Sequence, residues 1–428
     1  MPTHHTLSSA LRAFGRVAAL PLLMALPGPV QAAQLTTLVD FDGNNGKRPY
    51  AGLTKDAAGN LYGTTLGGGA NDVGTVFRLS PPLPGQTAWT PTLLADFDMT
   101  NGGLPVAELV RDAAGNLYGV TQWGGGPSPT STSGWGTVFK LSPPAAGQTK
   151  WTLTTLIKFN NDNGGWPIAG LVRDTAGNLY GTTYLGGRYG QGTVFRVSPP
   201  QAGQTAWTLA TLAYFNGKNG SSPAAGLVRD TAGNLYGTTM TGGTKSLGTV
   251  FRLSPPLSGQ THWTRTTLTN FNGNNGDTPD AKLLMDTVGN LYGTTSEYGS
   301  ILGDTGKSGT VFRLSPPAAG QSRWALATLT HFDGTHGRIP SAGLVADVAG
   351  NLYGTTAQGG ANDQGTVYKL APPATGQTKW TLATLADFNG TDGSWSTSRL
   401  VRDTAGNLYG TTTAGGANNL GTVFKIAP

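Results

Sequence analysis

The chain has 428 residues, no Cys, and a charged share of 12%, about half of average usage. Without Cys there are no disulfide staples or thiolate metal sites, and 10 Trp, 13 Tyr and 14 Phe can fill a core that a disordered chain would lack. The formal charge of +6 is spread along the chain rather than gathered into a basic stripe, so nucleic acid is not an expected partner.

In chain order, the first element is a targeting segment. Arg12 and Arg16 precede an apolar run from Val17 to Leu26, followed by Pro27, Gly28, Pro29 and then Val30–Gln31–Ala32. This is the layout of a signal peptide over residues 1–32, cleaved after Ala32 or one residue later. The run is too short for a bilayer, which needs about 20 residues, and no second apolar segment follows. The expected mature chain is therefore exported to the periplasm or exterior, has no transmembrane segment, and is a monomer. Losing the two Arg takes its charge from +6 to +4.

From residue 34 the chain repeats. Leu-Tyr-Gly begins at Leu61, Leu117, Leu179, Leu235, Leu291, Leu352 and Leu408, and Gly-Thr-Val begins at Gly74, Gly136, Gly192, Gly248, Gly309, Gly365 and Gly421. Two markers in phase seven times identify a tandem array. In the copy from Ala169 to Phe215, AGLVRD reads as a first strand, DTAGN as a turn and LYGTT as a second strand. After a Gly-rich loop, GTVFRVS is a third strand, PPQAGQT a breaker and WTLATLAYF a fourth strand. Four antiparallel strands per copy make a propeller blade, so the expected fold is an all-β, seven-bladed β-propeller. The blades fall near 50–98, 106–160, 168–216, 224–272, 280–333, 341–389 and 397–427. The last lacks a fourth strand, and Gln34–Phe41, which matches a fourth strand alone, is expected to complete it.

AGLVRDTAGNLYGTT, GTVFRLSPP and GQTKWTLATL resemble the GloVer tandem-repeat family, also called choice-of-anchor repeats, over essentially all of the mature chain. GLVRDTAGNLYG is also similar to exported propellers of the NHL type. The resemblance implies a bacterial, exported propeller and brings no catalytic residue with it. The C-terminal anchoring signals of the family are not visible in this sequence, which points to free secretion.

Loops alternate between the two faces of a propeller. The 1→2 and 3→4 loops, DTAGN and SPPxxGQT, are nearly uniform. The 2→3 and 4→1 loops vary and hold both insertions, 122–135 and 296–308. Function is expected on that variable face. Six Trp (89, 151, 207, 263, 324 and 380) recur at the start of the fourth strand and are expected between blades. Trp123, Trp135, Trp166 and Trp395 fall outside the repeat pattern. With Tyr184 and Tyr189 they form a candidate binding patch for a glycan or protein, centred on blades 2 and 3. The competing expectation is that these Trp fold inward to pack the long loop.

Other chemistry is sparse. Asp40, Asp42 and Asn44 alternate as calcium ligands do, although Asp-Gly and Asn-Gly are also ordinary turn residues; no other cofactor is expected. Of two Glu, Glu297 with Asp304 is the one loop pair for acid–base work, and Glu108 stands alone. His262, His331 and His336 show no ligand spacing. Lys55, Arg111, Arg173, Arg229 and Arg402 precede the turn Asp, a pattern broken by Met285 and Ala346, and are expected to pair with Asp or to form a basic ring. The expected function is a non-enzymatic binding or scaffold protein. The alternatives are a polysaccharide hydrolase or lyase with its site in the central funnel, and a spacer without ligand.

Overall fold

A computed structural model describes residue 1 and residues 33–126, 133–296 and 309–427; the expected signal peptide and parts of the two insertions lie outside them. The unit Ala33–Pro428 is the propeller. Among the described residues there are 28 strands in seven four-stranded antiparallel sheets, and no helix. In blade 3 the strands are Val172–Arg173, Leu179–Thr183, Thr193–Ser198 and Thr208–Tyr214. The first is much shorter than AGLVRD suggests, because the crowded axis described below takes Ala169–Leu171 out of the ladder. Gln34–Asp40 pairs with Thr422–Ala427, from Gln34↔Ala427 to Asp40↔Thr422, so the N-terminal strand completes blade 7.

Neighbouring blades lock through two layers of aromatic rings. At all seven junctions the Phe ending a fourth strand meets the aromatic residue of the next third strand edge-on, as in Phe41–Phe77 and Phe159–Phe195, with centroids 5.0–5.3 Å apart. Each such pair adds about 0.5–1.5 kcal/mol beyond its buried area. The third-strand ring lies flat on the glycine of Leu-Tyr-Gly: a Cβ on Gly181 would sit 2.6 Å from the Phe195 ring. Nearer the uniform face, the Tyr of one blade meets the repeat Trp of the next at six junctions, 5.9–6.5 Å apart. At the seventh, Tyr353 clusters instead with Ala33 and Leu35.

The Tyr hydroxyl donates to the turn Asp in every blade, at 3.0–3.2 Å. The same Asp accepts the Asn backbone and side-chain N–H groups that close DTAGN, as Asp174 does from Asn178. Desolvation opposes ionisation of Asp174, but these bonds and the charge of Arg229 in the next blade hold its carboxyl below the usual value. Asp56 and Asp112 have the same relation to Arg111 and Arg173. Arg111, Arg173 and Arg229 thus each stand near the turn Asp of the preceding blade.

On the axis, the residue before the conserved Leu of each first strand is Gly52, Glu108, Gly170, Gly226, Lys282, Gly343 or Arg399. Adjacent backbones approach closely here. A Cβ on Gly52, Gly226 or Gly343 would lie 2.9–3.1 Å from the carbonyl oxygen of a neighbouring blade. Four glycines leave room, and three long charged chains from blades 2, 5 and 7 fill it. Glu108 lies 3.5 Å from Lys282 and 3.4 Å from Arg399, while Arg399 Nε donates to Leu344 O. Desolvation disfavours the Glu108 charge, but the two cations outweigh it and hold the carboxyl below its ordinary value.

Two outcomes are expected. Tyr368 occupies the place of six Phe, its buried hydroxyl has no hydrogen-bond partner, and the oxygen stands over Gly354. Tyr368→Phe is expected to stabilise the fold by about 1 kcal/mol, read as a higher denaturant midpoint at unchanged slope. Glu108→Gln is expected to destabilise it by about 1–3 kcal/mol at pH 7, leaving two cations together. Because the folded-state carboxyl is depressed, its contribution is complete above the ordinary Glu range and lost as pH falls through the lower folded value. The gap between wild type and variant should therefore narrow below about pH 4, measured by urea titrations across pH.

Candidate functional site: an axial cup on the variable face

Each 4→1 connection ends in a short frame, such as Trp166–Pro167–Ile168–Ala169, that brings the chain to the axis. The residue before the proline, or before Ser396 that replaces it in blade 7, has φ of 53–58° in all seven blades: Arg48, Leu104, Trp166, Ser222, Thr278, Ile339 and Trp395. This left-handed backbone costs a non-glycine residue about 1–2 kcal/mol. Its N–H donates to the 2→3 loop of the preceding blade, as Trp166 does to Trp135 O at 2.9 Å and Ser222 to Gln191 O at 3.0 Å. Its carbonyl accepts from the first residue after the second strand, as from Tyr184 N at 3.0 Å and Met240 N at 3.2 Å. These bonds tie the blades together around the mouth and bring three side chains per blade towards it.

The copies differ strongly at those three positions. The left-handed position carries six residue types in seven blades. The position after the proline carries seven (Tyr50, Val106, Ile168, Ala224, Asp280, Ser341, Thr397), and the one after the second strand also carries seven (Leu66, Gln122, Tyr184, Met240, Ser296, Ala357, Thr413). Between them, Pro and Ala each recur in six blades and Leu in all seven. Backbone geometry fixes the frame and leaves these side chains unconstrained.

All seven residues after the proline, four of those after the second strand (Leu66, Gln122, Tyr184 and Met240) and Trp166 wall a cup of about 450 Å³ on the axis. The Glu108–Lys282–Arg399 triad lies two residues further along the chain from the wall residues Val106, Asp280 and Thr397. The wall has two halves. Blades 2 to 4 contribute Val106, Trp166, Ile168, Tyr184, Ala224 and Met240, and blades 5 to 7 contribute Asp280, Ser341 and Thr397. Desolvation, and then the Asp280 charge, raise the Tyr50 phenol above its ordinary value. Grooves of about 580–800 Å³ also run along blade junctions, but repeat residues such as Trp151 and Trp324 line them, so they lack this variation.

The residues singled out from sequence separate into groups. Trp166 and Tyr184 line the cup. Trp123 stacks behind Trp166, with ring centroids 5.0 Å apart. Trp135 turns inward, packing against the cluster of Phe159 and Phe195 with its ring over Gly165. Tyr189 is 50% exposed on the blade 3 loop under Arg188, away from the cup lining. Trp395 is 47% exposed at the blade 7 mouth, equivalent in the repeat to Trp166. Tyr50, Asp280, Lys282 and Arg399 were not singled out. Their signal lies in the columns of the aligned copies, where Gly gives way to Glu, Lys and Arg.

Among the calcium candidates, Asp40 accepts from Ala417 N at 2.8 Å, and Asp42 and Asn45 exchange side chain-to-backbone bonds across their turn; Asn44 is exposed. Asn270 and Asn216 make the same kinds of bond in other blades, so a neutral amide serves equally well there. Among the described residues, no group of three or more His, Asp or Glu meets to hold a metal. Glu297 and Asp304 lie outside the described residues. Glu108 is committed to its two cations, and His336 faces Asp333 in an exposed turn. No helix among the described residues is long and apolar enough to cross a membrane.

A search of curated proteins finds no match. Among solved structures, a Bacteroides uniformis protein named as a candidate 6-phosphogluconolactonase superposes with a TM-score of 0.52, covering 85% of this chain and 90% of its own at 16% identity. That likeness is one of fold. The sequence pattern of the Gloeobacter/Verrucomicrobia repeat matches residues 28–150, 128–303 and 302–428, and the chain belongs to this repeat family.

Proposed function

We propose that this propeller is an exported, non-enzymatic binding protein whose axial cup takes the end of a glycan. The observation that carries the reading is a coincidence of position. The position after the proline carries a different residue in every blade, and all seven of those residues line one cavity. A spacer would give no reason for one axial position to differ in all seven copies.

The size of the cup favours a small ligand or chain end. Small-molecule sites span roughly 300–1,000 Å³, whereas a stable protein interface buries about 800 Å² per partner. Its two halves suit a sugar, which offers an apolar C–H face to Trp166 and Tyr184 and hydroxyl groups to Asp280, Ser341 and Thr397. Against catalysis stands the state of Glu108, ionised and shared between two cations, which leaves Asp280 as the one carboxylate in the lining. The charged, apolar and small-residue layout of residues 1–32 supports export.

Two measurements test this. On a glycan array the mature protein should bind a limited set of glycans, and Trp166→Ala should weaken that binding by about tenfold or more, a loss of about 1.4 kcal/mol. A folded protein that binds no glycan on the array refutes the reading. Mass spectrometry of protein collected outside the producing cell should find Ala33 or Gln34 first; an intact Met1 there would refute signal-peptide cleavage.

A further inference from the structure

We infer that the uniform face, opposite the cup, is a docking surface for an anionic lipid bilayer, with acidic headgroups against its basic side chains and four aliphatic loop tips in the headgroup layer. The cup plays no part in this contact.

Charge that is dispersed along the chain is sorted by face. At the uniform end each blade has one acid, the turn Asp. Against these seven Asp, the fourth residue of the third strand is Arg or Lys in all seven blades, as Arg196 is in Thr193–Ser198. It pairs with the Tyr whose hydroxyl reaches that Asp, as Arg196 does with Tyr180. Seven cations already balance seven Asp. Five more directly precede the turn Asp, and Lys150, Arg323 and Lys379 lie exposed on the 3→4 loops. The uniform end therefore carries 15 Lys and Arg against seven Asp, a net +8. The rest of residues 33–428 carries 11 Lys and Arg against 15 Asp and Glu, a net −4. Neutralising the turns does not need this excess, and a one-sided field attracts an anionic partner to one face.

Charge alone would suit any polyanion, and the loop tips narrow the partner to lipid. In six blades a Cβ on the 1→2 turn glycine would lie 3.6–3.9 Å from the proline that opens the 3→4 loop, so the two sets of loops form one surface. On that surface Leu83, Leu257, Val288 and Val348 are 67–105% exposed, the four most exposed large apolar side chains among the described residues of the propeller. They belong to blades 1, 4, 5 and 6 and so stand on both sides of the axis, which lets the face rest flat on a plane. A soluble polyanion gives such side chains nothing to bury against. A headgroup layer takes them out of water while the cations beside them meet acidic lipid. Docked in this way, the protein turns its cup away from the membrane.

The test is co-sedimentation of the purified protein with phosphatidylcholine vesicles that contain or lack phosphatidylglycerol. Binding is expected to be about tenfold or more tighter with phosphatidylglycerol, and to weaken as salt is raised. Lys150→Glu/Arg323→Glu/Lys379→Glu should lose about tenfold or more, and Leu257→Ser/Val288→Ser/Val348→Ser about tenfold. The control, Lys158→Glu/Lys218→Glu/Lys245→Glu, makes the same change of charge at exposed positions of the variable face and should stay within about twofold of wild type. All nine positions are exposed, and an unchanged melting temperature verifies that each variant is folded. A wild-type protein that ignores the anionic vesicles overturns the inference. Equal losses in the two charge variants overturn it by tracing the attraction to net charge rather than to one face. A loss in the uniform-face charge variant with none in the aliphatic variant overturns the lipid assignment, because the face then attracts anions without entering a bilayer.

Discussion

The molecule depends on a ring of aromatic side chains each seated on a glycine. Phe195 lies on Gly181 so closely that a single methyl group there would drive it away, and the same contact recurs in every blade. With the glycine bare, the third-strand ring reaches the Phe that ends the preceding blade, and the blades close at one fixed angle. Fixed angles bring the first strands together on the axis. A Cβ at Gly52, Gly226 or Gly343 would crowd a neighbouring carbonyl there, and the first strands pair over only two residues. Sequence freedom is expelled from the junctions and from the uniform face. It survives at the mouth, where the backbone is held by bonds around the ring and side chains point into open space.

Much of this was legible in the sequence. Two markers in phase gave seven blades, and a lone fourth strand at residue 34 opposite a third strand at residue 421 gave the closure that the pairing of Gln34 with Ala427 shows. The repeat Trp residues were placed between blades, where they lie at six junctions. The candidate site was read less well, for a physical reason. Proximity at the axis joins residues about one repeat apart, whereas reading along the chain joins neighbours. Trp135 and Trp166 look like partners in one loop system, yet the first packs inward and the second faces the cup. Glu108 looked isolated because its two partners are in blades 5 and 7.

Likeness of fold to a protein with an enzyme's name has little bearing on chemistry, since propellers of one architecture serve many roles through what they place at the mouth. Here three charged side chains from blades 2, 5 and 7 meet on the axis. The frame, repeated seven times, is separated from recognition, and a change at the mouth need not disturb a junction.

The closure also sets an order in time. Asp40 accepts a hydrogen bond from Ala417, 377 residues further along the chain. During synthesis the first strand therefore has no partner until Thr422–Ala427 has been made. Until then the growing ring shows two bare strand edges, one at each end of an incomplete arc, and each can capture another chain. Contacts of such long sequence separation form late and slowly. The step that completes this molecule is thus also the one that removes its sticky ends, so the interval before closure, rather than the stability of any single blade, sets its exposure to misassembly.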